Sequence, residues 1–122
     1  MPKVALKPED KLVLSAMRAQ GDKKLATPRH TLLYFHAKKR ALFGAKKRLA
    51  AVAEAAEANG WKAAALDRKH LVVEDEVPVS AAAVAQRTAW AEELASRYGV
   101  EFDGWEAQII QHSAPDPAIS DT

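Results

Sequence analysis

The chain has 122 residues, 48% of them hydrophobic and 28% charged, a balance that supports one packed core and lies outside the regime in which chains stay disordered. It has no cysteine, which excludes disulfides and thiolate metal sites. No segment approaches the roughly 20 apolar residues needed to cross a bilayer, and the first ten residues carry no apolar leader, so the expected location is the cytoplasm. The formal net charge of +2 conceals an asymmetry. In residues 1–48, 13 Lys/Arg stand against three acids, and in residues 49–122 five stand against 13, a pattern that suits an electrostatically guided partner.

In chain order, Pro8-Glu9-Asp10 reads as a helix start, with proline tolerated in the first turn and two acids near the positive end of the dipole. Leu12, Val13, Ala16 and Met17 follow at helical spacing and Gly21 stops the run. After Thr27-Pro28, the aliphatic and aromatic stretch Arg29 to His36 suits a strand. Lys38 to Asn59 carries Leu42, Ala45, Leu49, Val52 and Ala56 at spacings of three and four, which predicts one long amphipathic helix. Trp61 to Leu66 and His70 to Val77 flank a polar turn and read as a hairpin. The alanines of its first arm make that strand a reading from context. Ser80 is an N-cap for a third helix marked by Val84, Thr88, Ala91, Ala95 and Tyr98, which Gly99 ends. A last strand is expected within Val100 to Ile110.

The order helix, strand, helix, strand, strand, helix, strand predicts the α+β class. Its core is a ferredoxin-like βαββαβ sandwich, a four-stranded antiparallel sheet with two helices on one face, preceded by an N-terminal helix. Residues 1–111 are expected to form the single domain and residues 112–122, with Pro115 and Pro117, a flexible C-terminal tail.

Tyr98-Gly99-Val100-Glu101-Phe102-Asp103-Gly104-Trp105-Glu106 resembles the closing signature of the B-type regulators of ribonuclease E activity. In that family a helix ends at glycine and a strand continues through an aromatic residue into Asp-Gly-Trp. Met17 to Asp22, ending in Gly-Asp, and Pro28 to Phe35 are similar to the family's early helix and first strand. The resemblance implies a ferredoxin-like, non-enzymatic protein that binds ribonuclease E or a related endoribonuclease and inhibits or redirects RNA cleavage. The family's characterised type resembles strongly acidic proteins with an acidic tail, whereas this tail carries only Asp116 and Asp121.

Candidate partner-binding residues fall in two groups. One is Asp103, Trp105 and Glu106. Simple alternation would place Asp103 and Trp105 on one face and Phe102, Gly104 and Glu106 on the other. A tryptophan on the uncovered face would anchor a partner; the structural alternative is a tryptophan covering the edge of the core. The other group is Lys39, Arg40, Lys46, Lys47 and Arg48 on the predicted helix, with Lys38 beside them. Cations at a helix start oppose the dipole by about 0.3–1 kcal/mol each, which hints at a use, although a solvated helix face is the plainer reading. This group is also the basis of the alternative function, an RNA-binding module.

His30 and His36 share a strand face that could approach His70, but zinc needs three or four convergent ligands and the spacing is wrong. No metal, no cofactor and no catalytic constellation are expected, and a small enzyme on the same fold is the third and weakest function class. Glu74-Asp75-Glu76 reads as protection of a sheet edge. Oligomeric state is open.

Overall fold

The computed structural model describes residues 6–40 and 43–110. Its elements are α1 (Pro8–Ala19), β1 (Arg29–Ala37), α2 (Ala45–Glu57), β2 (Lys62–Leu66), β3 (His70–Val77), α3 (Ala81–Tyr98) and β4 (Val100–Ala107). The strands form one sheet in the order β2-β3-β1-β4, and every pairing is antiparallel. This is the βαββαβ arrangement preceded by a helix. The expected tail, residues 112–122, lies outside the described residues.

Alternation along β1 decides which face is the core. Arg29, Thr31, Leu33, Phe35 and Ala37 are buried, while the residues between them are half-buried or exposed. Leu33 and Phe35 join Leu71 and Val73 of β3, Leu49, Val52 and Ala56 of α2, and Ala91, Leu94 and Ala95 of α3 in one cluster. Both crossover helices therefore cover the same face of the sheet, and small alanines let them approach it closely.

α2 is shorter than its pattern suggests. Lys39 and Arg40 form a turn after β1, and the helix begins only at Ala45. The reason is Gly44, the residue before the helix, whose φ of +74° is left-handed and cannot continue a helix backwards. Of the expected apolar positions Ala45, Leu49, Val52 and Ala56 are buried, and Leu42 lies outside the described residues. α3 begins as expected, with the Ser80 hydroxyl accepting from the Ala83 amide at 3.3 Å. β4 stops at Ala107 rather than reaching Ile110.

Of the expected stripe on α1 only Met17 is turned inward. Leu12 is 73% exposed and Val13 partly so, whereas Asp10, Leu14 and Met17 are buried. Asp10 is inside because its carboxylate accepts from the Thr88 hydroxyl of α3 and from the Trp105 indole N–H of β4, both at 2.8 Å. Leu14 and Met17 complete a second cluster with Leu25, Val79 and Val84. A buried ion pair closes the same end. Asp22 and Arg29 are both fully enclosed and bonded to each other. Arg29 also donates to the Lys24 and Gln108 carbonyls at 2.9 and 3.3 Å, and Asp22 accepts from the Ile110 amide at 3.1 Å. Loop, first strand and the residues just after β4 are thereby held to one point.

Removing the Asp10 carboxylate strands two buried donors. Asp10→Ala is expected to lower unfolding free energy by about 2–3 kcal/mol. Leu12→Ser, on the outward side, should stay within about 0.5 kcal/mol of the parent. Urea denaturation of both variants checks this, and equal midpoints would contradict the assignment.

Candidate functional site

The face of the sheet away from the helices is covered by no described element. Its position in the fold follows from the register. Opposite one another stand His36 and His70, Tyr34 and Val72, Leu32 and Glu74, and His30 and Glu76 on β1 and β3. Lys62 of β2 stands beside Glu74, and Glu106 and Glu101 of β4 stand beside Leu32 and His36.

The register of β4 against β1 shifts by one residue between Leu33 and Phe35. Phe102 pairs with Phe35 and Trp105 with Leu33, so Asp103 and Gly104 together oppose Tyr34. Gly104 has φ +101°, the left-handed conformation that an extra residue in a bulge requires. The bulge corrects the face assignment read from simple alternation. Trp105 is on the core side, packed against both clusters with its indole on Asp10. Phe102 lies 5.3 Å from Phe35 between ring centroids. Asp103 is exposed and reaches His36 Nε2 at 3.9 Å, and Glu106 accepts a hydrogen bond from the Tyr34 hydroxyl.

The outcome is a face with five carboxylates, Glu74, Glu76, Glu101, Asp103 and Glu106, against one lysine, Lys62. A strip of Leu32, Tyr34 and Val72 runs through the middle, each half-buried. His30 meets Glu74 at 2.7 Å and His36 meets Glu101 at 3.5 Å, while His70 stands 3.5 Å from Asp67 at the hairpin. The shared histidine face is thus real, but each ring is matched with carboxylates, His36 with both Glu101 and Asp103. Among the described residues no group of three or more His, Asp or Glu is placed to hold a metal ion.

Burial holds the Tyr34 phenol above its ordinary value, and the negative charge and hydrogen bond of Glu106 raise it further. Asp67 is lowered by the Lys69 and His70 amides, each donating to its carboxylate at 2.7 Å. Asp75 departs from its neighbours and points to the helix side. There it lines a cavity with Trp61, Arg87 and Trp90, and burial lowers the Arg87 guanidinium against the opposing pull of Asp75. β3 is an inner strand of the sheet, so Glu74 to Glu76 do not serve as protection of a sheet edge.

The five basic candidates lie elsewhere. Lys39 and Arg40 are exposed on the turn after β1, and Lys46 and Lys47 are exposed in the first turn of α2. Arg48 is half-buried, donates to the Phe43 carbonyl at 3.0 Å, and packs its stem against Gly99. It is a brace between α2 and the end of α3. The sequence reading missed Tyr34, His36, Glu74 and Glu101 as parts of one surface. Even-numbered positions of β1 signalled the face, but their neighbours on β3 and β4 depend on a register that one sequence does not give.

A family model described as regulator of ribonuclease activity B matches residues 7–107. The chain belongs to that family. The match runs from the residue before α1 to the last residue of β4, so both the Asp10–Trp105 link and the β4 bulge fall inside it. None of the curated proteins compared matches the chain. The family is one of regulators of ribonuclease activity. No described helix is long and apolar enough to cross a membrane.

The phenol gives this face a spectroscopic reporter. In a Tyr98→Phe background, Tyr34 should ionise above pH 10. Glu106→Gln should move its midpoint down towards 10 without reaching it, since burial is the larger cause and persists. The folded-state pKa lies above the unfolded one, so the stability this group contributes is present below pH 10 and is lost as pH rises through the raised value. Absorbance at alkaline pH follows the midpoint, and no movement in the Glu106 variant would remove the link.

Proposed function

We propose that this protein is a non-catalytic regulator that binds an endoribonuclease of the ribonuclease E type and inhibits its cleavage of RNA in the cytoplasm. The observation that carries the reading is the uncovered sheet face, where five carboxylates surround the Leu32, Tyr34 and Val72 strip. A ribonuclease holds a polyanion, and the segments that do so are rich in lysine and arginine. An acidic sheet face with an aromatic centre complements such a segment in sign, and complementary charge speeds encounter and excludes like-charged surfaces. Occupying that segment would compete with RNA for it. Asp103 and Glu106 are direct contacts in this reading, and Trp105 positions them from behind. Family membership supports a ribonuclease as the partner.

The ribonuclease and its inhibition are tested together by measuring binding of the purified enzyme and its cleavage of a reporter RNA. Paired reversal of Glu101→Lys and Glu106→Lys should weaken binding by tenfold or more, equivalent to about 1.4 kcal/mol, and relieve inhibition to match. Most of that change should appear in the association rate and should shrink as salt rises. Thermal melting checks that the fold is intact. Full binding and inhibition by the reversed variant would refute the sheet face as the contact.

A further inference from the structure

Part of the chain's positive charge collects at one end of the sheet. β1 ends at Ala37, whose amide donates to the Lys69 carbonyl at 2.8 Å. The turn carrying Lys39 and Arg40 therefore leaves the sheet next to the β2–β3 hairpin, which carries Arg68 and Lys69. A groove of about 410 Å³ joins that hairpin to the start of α2, lined by Phe43, Gly44, Ala45, Lys46, Arg68 and Lys69. Lys39, Arg40, Lys46, Lys47, Arg68 and Lys69 are all exposed, and none takes part in an ion pair among the described residues. Asp67 is the one acid in the hairpin turn, and it is engaged by two backbone amides.

Two further features share this end. Phe43 is 98% exposed, the most exposed large apolar side chain described. An isolated aromatic ring held in water among cations has no packing role in this fold. α2 also starts with no side-chain cap and no acid in its first turn. Lysines there oppose the helix dipole, and a bound anion would turn that conflict into attraction.

We propose that this end of the molecule binds single-stranded RNA, with Phe43 stacking on a base and the six cations tracking the phosphates. An aromatic ring inside a basic groove is the arrangement that holds single strands without sequence preference, since every base offers a face to stack on. An acidic protein segment would use the cations but would leave Phe43 in water. A duplex would satisfy the cations but keeps its bases stacked. This surface is separate from the acidic sheet face and does not depend on it. A regulator with both could hold the substrate strand while it contacts the enzyme.

The test is fluorescence anisotropy of the full chain with a labelled adenylate RNA of about 12 nucleotides, a duplex of equal length and a glutamate-rich peptide of equal charge. The single strand should bind tightest. Phe43→Ala should weaken it by roughly tenfold, in keeping with stacking on one base. Replacing Lys39, Arg40, Lys46 and Lys47 with Gln should reduce binding below detection, and each lost phosphate contact should flatten the salt slope by about 0.7. Glu101→Lys with Glu106→Lys should retain RNA binding, which separates failure here from failure of the ribonuclease reading. Absence of RNA binding, equal binding of the duplex or peptide, or indifference to Phe43→Ala would each overturn the proposal. Phe43 is 98% exposed, so its truncation leaves the core packing intact and loss of fold does not mimic its effect.

Discussion

At Asp103-Gly104 two residues of β4 occupy the space opposite Tyr34, and the φ of +101° at Gly104 absorbs the extra one. Without it, strict alternation would put Phe102 and Trp105 on opposite faces of the sheet. With it, both aromatic rings go to the helix side, and Glu101, Asp103 and Glu106 remain on the other. The indole that arrives there is held by Asp10, which in turn is held by Thr88. One irregularity in one strand thus fixes α1 to the body of the molecule and sets the sign of the free face.

Five carboxylates on one sheet face would repel one another if they stood directly across adjacent strands. They do not. Glu76 faces His30, Glu101 faces His36, Glu74 faces Leu32 and Lys62, and Glu106 faces Leu32. Asp103 lies opposite Tyr34, so every acid has a histidine, a lysine, a tyrosine or an apolar side chain as its cross-strand neighbour. The face can therefore be acidic towards a partner without paying for close like-charge pairs inside the sheet. Lys39, Arg40, Lys46, Lys47, Arg68 and Lys69 gather at the end of the sheet where β1 leaves it, so a basic end adjoins the acidic face.

Much of the fold was legible. Element order, the hairpin at Asp67 to Lys69, the Ser80 cap and the βαββαβ topology all follow from period, turn residues and caps, which act locally. What was not legible depends on contacts between distant segments or on a single glycine. Gly44 lay inside a convincing helical pattern and ends it seven residues inside the expected start, which frees Lys39 and Arg40 from the helix. Gly104 lay inside a strand, where an isolated glycine signals a bulge, and simple alternation assigned Trp105 to the wrong face. Asp10 read as a dipole-favoured surface acid, and only tertiary contact makes it a buried acceptor. Of the candidate face, Asp103 and Glu106 were named from the signature, whereas Tyr34, His36, Glu74 and Glu101 join them only through register.

The role proposed for the sheet face is tested most directly by titrating the isotope-labelled protein with a lysine- and arginine-rich segment of an endoribonuclease and following amide resonances. Expected are progressive shifts at Leu32, Tyr34, Val72, Glu101 and Glu106, with Glu54, Gln86 and Glu93 on the helices unmoved. Shifts confined to α2 and α3, with the sheet residues unchanged, would contradict the role assigned to that face.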